Sequence, residues 1–185
     1  MPVVSVTLLP GYAAETQHLM VNRLAQAVRS VIDTPEAGTT VFVNEVSTYR
    51  RDGKVFSEGR AAHPVASDLV RDFLQAMQSR DLAHAQSFLS PDFRMCFPGG
   101  VVMHTLDELT AWAAQRYSHI GKHYEQFEES WQGDVTVVFC HGSLQGTWPH
   151  GESFEGIRFI DRMEVRGGKI IRQDVWNDLA EHRKA

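Results

Sequence analysis

A polar stretch with a glycine and a proline, SEGRAAHPVA at residues 57–66, separates two segments with different hydrophobic patterns. The segment before it alternates strand-like and helical patterns. The segment after it has helical patterns followed by long strand-like runs. Small polar residues with Gly and Pro are typical of a connection. The sequence therefore predicts two domains, residues 1–60 and residues 67–185, joined by a linker at 61–66.

The first segment has the pattern of a β-α-β unit. Residues 2–9 are rich in β-branched side chains, a Pro-Gly pair interrupts them, and residues 14–32 carry apolar side chains on one helical face. Residues 39–47 form a second strand-like run, and this spacing favours two parallel strands joined by a crossover helix. An Asp-Gly pair then predicts a short hairpin. Because about 60 residues bury little core alone, we expect this domain to oligomerise.

The second segment has an α+β pattern. Helices are predicted over 67–80, 81–89 and 105–120, and Thr105 and Glu108 have the spacing of a capping box. Four long strand candidates follow, which favours an antiparallel sheet with the three helices packed on it.

Composition narrows the class of protein. The net charge of −5 argues against a nucleic-acid partner, and no apolar run is long enough to span a membrane. The beginning of the chain lacks the pattern of a signal peptide. Cys96 and Cys140 lie in apolar contexts that suit free buried thiols, so we expect a cytoplasmic protein. No strong metal-binding motif occurs, and neither a metal nor a cofactor is predicted.

The first segment combines five features: a proline at position 2, the strand VVSVTLL, the Pro-Gly break, the helix that runs to DTP and the strand VFVNEV. In this combination it resembles the 4-oxalocrotonate tautomerase family. The resemblance covers residues 2–60. It implies a tautomerase fold without a cofactor, in which Pro2 acts as a general base once Met1 is removed. The alternative for Pro2 is the start of an edge strand, where its missing N–H does no harm.

Two positions depart from the pattern of that family. Tyr12 and Thr40 stand where its members carry arginines that hold a substrate carboxylate. We therefore predict that Tyr12, Arg50 and Arg51 bind the substrate. The alternative for the two arginines is a solvated hairpin edge.

The second domain resembles the SnoaL-like branch of the NTF2-like superfamily. The resemblance covers residues 66–181, and its carriers are LVRDFLQAMQSRDLAHAQSFLSPDF, the FPGG turn, the TLDEL…W helix, and FEGIRFIDRMEVRGGKIIRQDVWND. It implies a cone in which a curved sheet wraps a long helix around an apolar pocket. Polyketide cyclases, ketosteroid isomerases, epoxide hydrolases and non-catalytic binders share that fold, so the fold leaves the function open.

Strand alternation identifies one catalytic candidate in the cone. In GIRFIDRMEV the odd-numbered positions are apolar except Asp161, which predicts a carboxyl that faces the pocket among apolar side chains. Burial would raise its pKa, as suits a general acid or base. The alternative is a structural aspartate with a buried partner, or a different register.

Four further side chains are predicted to bind the substrate in the cone. His141 shares a strand face with Val137 and Phe139, and a histidine suits proton transfer near neutral pH. His104 precedes the third helix of this domain and Tyr117 lies on it, and both are expected near the mouth of the pocket. Asn177 lies on the last strand.

These observations favour a cofactor-independent tautomerase or isomerase that acts on a small enolisable or unsaturated carbonyl compound or acid. The NTF2-like pocket would bind the compound or convert it further. The alternative is a small-molecule-binding protein in which the tautomerase-like half serves oligomerisation. Both resemblances imply a homo-oligomer, either a hexamer or a dimer.

Overall fold

The structure is a computed structural model that describes residues 1–57 and 62–182. Contacts within the chain divide it into two units, Met1–Ala62 and His63–Ala185. The predicted end of the first domain at residue 60 and the start of the linker at residue 61 lie outside the described residues.

The first unit is a β-α-β arrangement followed by a hairpin. The strands β1 and β2 pair in parallel, from Val3 opposite Thr40 to Leu8 opposite Glu45, as the sequence predicts. A single 3-10 turn precedes β2, and β3 pairs antiparallel with β4. The elements are β1 (Val3–Leu8), α1 (Ala14–Arg29), the 3-10 turn (Glu36–Gly38), β2 (Thr40–Glu45), β3 (Tyr49–Arg51) and β4 (Lys54–Phe56).

The first unit buries very little. Alternate residues of β1 are half-buried, and α1 has no buried residue. Among residues 1–57 only Gly38 is buried. On the other face of the two-stranded sheet Val3 is 63% exposed and Phe42 is 54% exposed. Residues 1–57 therefore contain no cluster of buried hydrophobic side chains.

The described part of the second unit, residues 63–182, contains four helices. The predicted capping box is confirmed, because the Thr105 hydroxyl accepts from the backbone N–H of Glu108 while the Glu108 carboxylate accepts from the backbone N–H of Thr105. The prediction of a helix to residue 120 is wrong, because the residues from His119 onward pair with a neighbouring strand instead. The helices are α2 (Ala66–Gln78), α3 (Leu82–Ser87), α4 (Leu106–Ala114) and α5 (Leu179–His182).

A six-stranded sheet forms the rest of this unit. Its order is β6-β5-β10-β9-β8-β7. The prediction of a fully antiparallel sheet is wrong at one pair of strands. The last strand of the meander, β10, lies beside β5 and runs in the same direction, so these two strands are parallel. The sheet is therefore mixed. The strands are β5 (Leu89–Phe97), β6 (Val101–Met103), β7 (His119–Gln132), β8 (Val135–Thr147), β9 (Ser153–Arg166) and β10 (Lys169–Asn177).

The core lies between the helices and one face of this sheet. From α2, Val70, Phe73 and Leu74 are buried against side chains such as Val138 of β8 and Met163 of β9. Burial of such a side chain contributes about 2 kcal/mol. None of the helices in the described part of the chain is both long and apolar enough to cross a membrane.

Candidate active site

A cavity opens between α2, α4 and the first half of β7. It encloses about 740 Å³ of space between its atoms, part of which is open to solvent. Its walls are largely apolar and include Phe73, Leu74, Met77, Phe97, Leu109 and Ile120.

The polar groups of the cavity fall into two sets. Gln78, Arg80 and Thr110 are exposed and form its rim. Tyr117, Lys122, Tyr124 and Gln173 are half-buried or buried, and they lie further inside.

A buried ion pair lies at the inner end of the cavity. The Lys122 ammonium donates a hydrogen bond to Oδ2 of Asp161 at 2.5 Å. Lys122 is on β7 and Asp161 is on β9, so the lysine side chain passes across β8 to reach its partner. The side chain of Asp161 is 0% exposed and that of Lys122 is 21% exposed.

Burial dominates the electrostatics of this pair. It raises the pKa of Asp161, and the positive charge and hydrogen bond of Lys122 lower that pKa only in part. Burial also raises the pKa of Tyr124, and the negative charge of Asp161 adds to this effect. The neighbouring Cys140 thiol has a pKa raised to about 12, first by burial and then by Asp161. Among the described residues, Oδ1 of Asp161 has no hydrogen-bond partner.

The alternation of β9 is as the sequence predicts. Asp161 is buried in one row of side chains on this strand, together with Ile157, Phe159, Met163 and Val165. Asp161 itself is not part of the cavity wall, whereas Lys122 is. The lysine therefore stands between the carboxylate and the cavity. Its ammonium also lies 4.4 Å from the centre of the Phe159 ring.

Sequence reasoning missed Lys122, Tyr124 and Gln173. A signal was present for the first two, since Ile120, Lys122 and Tyr124 alternate on one face of β7. That the lysine meets Asp161 depends on the strand order, which local patterns do not contain.

Of the four predicted binding residues in this domain, Tyr117 lines the cavity, where burial raises its pKa. The other three, His104, His141 and Asn177, are not part of its wall. His141 pairs with Ile160 on the outer face of the sheet, and His104 precedes α4 in an exposed turn. The Asn177 side chain accepts from the backbone N–H of Leu179 at 3.2 Å and so caps the turn into α5.

The remaining predicted site residues belong to the first unit. Pro2 is half-buried directly before β1, and its carbonyl accepts from the N–H of Thr40 at 3.1 Å. The carbonyl of the half-buried Tyr12 accepts from the Gln17 side chain at 3.2 Å. Arg50 and Arg51 lie on the exposed hairpin.

Within 1–57 and 62–182, His, Cys, Asp and Glu side chains form no group of three or more that is suited to a metal ion.

The fold and the cavity define an NTF2-like protein, in which a curved mixed sheet and a few helices enclose an apolar pocket. Residues 70–173 match the family described as "SnoaL-like domain". This match spans more than half of the 185 residues, so the chain belongs to the SnoaL-like domain family. The match begins at residue 70, and no comparison shows the tautomerase family for residues 2–60.

Solved structures agree on the fold. An NTF2-like protein of unknown function from Burkholderia pseudomallei is 25% identical, with a TM-score of 0.53 over 63% of this chain and 92% of that one. TerC, co-crystallised with polyporic acid, is 21% identical with a TM-score of 0.53 over 63% and 93%. An NTF2-like protein from Burkholderia thailandensis is 19% identical with a TM-score of 0.52 over 63% and 93%. No curated protein matches the sequence.

Proposed function

We propose that the SnoaL-like domain is a cofactor-independent isomerase or cyclase that moves a proton on a small carbonyl compound held in the cavity. The buried Lys122–Asp161 pair carries this proposal. An ion pair removed from water is costly to hold, and such pairs beside an apolar cavity are candidates for proton transfer.

In the proposed mechanism Lys122 contacts the ligand. Its ammonium gives one proton to the carbonyl oxygen, and the resulting amine takes a proton from the neighbouring carbon. The two transfers convert a keto form to an enol and restore the ammonium, so atoms and charge balance. Ketonisation is the reverse. The ammonium stabilises negative charge on the oxygen as it develops.

Asp161 is a positioning residue in this mechanism. Its Oδ2 accepts a hydrogen bond from the same nitrogen and so fixes the direction of the lysine side chain. Because burial raises its pKa, the carboxyl group can also hold a proton while the lysine is neutral.

Ketonisation of phenylenolpyruvate, followed by ultraviolet absorbance, tests this function. Wild type is compared with Lys122→Met and Asp161→Asn, and with Lys169→Met as a matched control at an exposed lysine of the second unit that is not part of the cavity wall. A loss of about 100-fold or more in Lys122→Met, with the control unchanged, is expected for a positioned acid–base group. Activity of a folded Lys122→Met protein that equals wild type and persists when Pro2→Ala is added would overturn the proposal.

We propose a second activity for the first unit, in which Pro2 is a general base after removal of Met1 and Tyr12, Arg50 and Arg51 orient the substrate. The parallel β-α-β order with Pro2 at its start supports it. Pro2→Ala in the same assay, after mass spectrometry of the N-terminus, separates the two sites. If neither Pro2→Ala nor Lys122→Met lowers a near-background rate, the binding-protein alternative stands.

We also propose that the chain forms a homo-oligomer, either a hexamer or a dimer. The absence of buried hydrophobic side chains among residues 1–57, together with the exposed Val3 and Phe42, supports a partner surface on the first unit. Light scattering after size-exclusion chromatography tests this, and a monomer would contradict it.

A further inference from the structure

We infer that the cavity takes a monoanionic ligand and that Arg80 at the rim binds its carboxylate. The inference rests on the proposed function, because it names the substrate class of the same cavity. It concerns recognition rather than proton transfer, so a separate measurement tests it.

The charges of the cavity wall point to an anion. Among the described residues of the wall there is no Asp or Glu side chain, and the cationic side chains are those of Lys122 and Arg80. Asp161 balances the charge of Lys122 from behind. In the described part of the chain, the Arg80 guanidinium has no hydrogen bond and no ion pair. Arg80 at the rim is therefore the cationic side chain of the wall that has no carboxylate partner among the described residues.

The positions of the two cations fit an elongated acid. Arg80 is exposed at the rim, whereas Lys122 lies inside, with apolar side chains such as Met77 and Phe97 in the same wall. A carboxylate at the rim would receive two parallel N–H donors from the guanidinium, the arrangement that arginine offers and lysine does not. An apolar body would then lie in the cavity with a carbonyl group toward Lys122.

The backbone of Arg80 supplies an independent observation. Its φ is 63°, in the left-handed region. The residue follows α2 in a Schellman arrangement, in which the N–H of Asp81 donates to the carbonyl of Ala76 at 2.9 Å and that of Arg80 donates to Met77 at 3.2 Å. Glycine is the usual residue there, because a side chain in this conformation is strained. Strained residues of this kind cluster at ligand sites.

Opposite effects on stability and binding therefore identify the role of Arg80. Replacement by glycine relieves the backbone strain and removes the guanidinium in a single change. If Arg80 served only to end α2, Arg80→Gly would raise the melting temperature and leave binding unchanged. If Arg80 binds the carboxylate, the same variant gains stability and loses affinity.

Isothermal titration with trans-cinnamate and with its neutral isostere trans-cinnamamide makes the test. We expect the wild type to prefer cinnamate by about tenfold or more, as suits one charge-assisted bidentate contact at an exposed rim. Arg80→Gly should lose this preference while its melting temperature rises. Arg80→Gln, which keeps the strain, should lose the preference without gaining stability.

Arg116→Gln is the matched control. Arg116 stacks on Trp112 near the cavity but is not part of its wall, so this variant changes the net charge equally and should keep the preference for cinnamate. An unchanged preference in Arg80→Gly, an equal loss in Arg116→Gln, or no binding of cinnamate to the wild type at millimolar concentration would overturn the inference.

The two proposals can fail separately. If Lys122→Met loses turnover while the wild type binds cinnamate and cinnamamide with equal affinity, the proposed function stands and the role of Arg80 is refuted. Wild-type turnover in Lys122→Met with a cinnamate preference that depends on Arg80 would do the reverse.

Discussion

Replacing Lys122 by methionine leaves the fully buried Asp161 without its partner. Breaking a buried pair on one side costs about 3–5 kcal/mol. Protonation of the carboxyl limits this cost. An unfolded aspartate has a pKa of about 3.9, so holding it protonated at pH 7 costs at most about 4 kcal/mol, and about 1.5 kcal/mol at pH 5. We therefore expect Lys122→Met to be destabilised by at most about 4 kcal/mol at pH 7 and by much less at pH 5.

The sign of the pH dependence follows from the raised pKa of Asp161. A carboxyl whose pKa is higher in the folded state binds more protons there than in the unfolded chain. The free energy of unfolding therefore falls as pH rises from the unfolded pKa to the folded pKa. Loss of the ammonium removes the two influences that lower this pKa, so in Lys122→Met the fall continues to higher pH.

Urea unfolding between pH 5 and pH 8, followed by tryptophan fluorescence, measures this effect. The four tryptophans all lie in the second unit, so the signal reports the domain that holds the pair; they are Trp112, Trp131, Trp148 and Trp176. Adding Asp161→Leu to Lys122→Met should restore most of the stability, because an apolar pair needs no charge partner. Equal stability of Lys122→Met and wild type at pH 7 would refute the reasoning.

Three smaller predictions concern other parts of the second unit. Thr105→Ala removes the capping box with Glu108 and should lower the free energy of unfolding by about 1 kcal/mol in urea titrations. Gly142→Ala would place a Cβ 1.9 Å from the backbone oxygen of His123, so a loss of about 2 kcal/mol or more is expected; unchanged stability would contradict that close approach. The buried Cys140 thiol, with its pKa of about 12, should resist iodoacetamide at pH 8 in native protein and react after unfolding, as mass spectrometry can follow.

Local periodicity predicted those features of the fold that depend on a single strand or helix. The strict alternation of β9 identified the row that contains Asp161, and the spacing of Thr105 and Glu108 identified the start of α4. The same reasoning did not identify the face of β8 on which His141 lies. Alternation tells which residues share a face, but β8 carries apolar residues on both faces, and so its pattern does not tell which face is inside.

Features that depend on the order of the strands were not predictable from local patterns. Lys122 can contact Asp161 because the strand order places β7 only two strands from β9, with β8 between them. Similarly, β5 and β10 are parallel because the last strand of the meander lies beside β5. The end of α4 shows the same limit. Tyr117 and Ile120 continue a helical spacing, yet Ile120 pairs with Gly146 in the sheet. Strand pairing outweighs the local helical preference there.

The two ends of the sheet are protected against pairing with strands of other molecules by different means. At one end β6 has three residues, which is too short to template a new strand. At the other end β7 is long, but its register shifts between Tyr124 and Gln126, and the exposed Glu125 and Glu128 place charge along the edge. A bulge and charged side chains both discourage an incoming strand. Both edges of this sheet are therefore poor templates for an added strand from another chain.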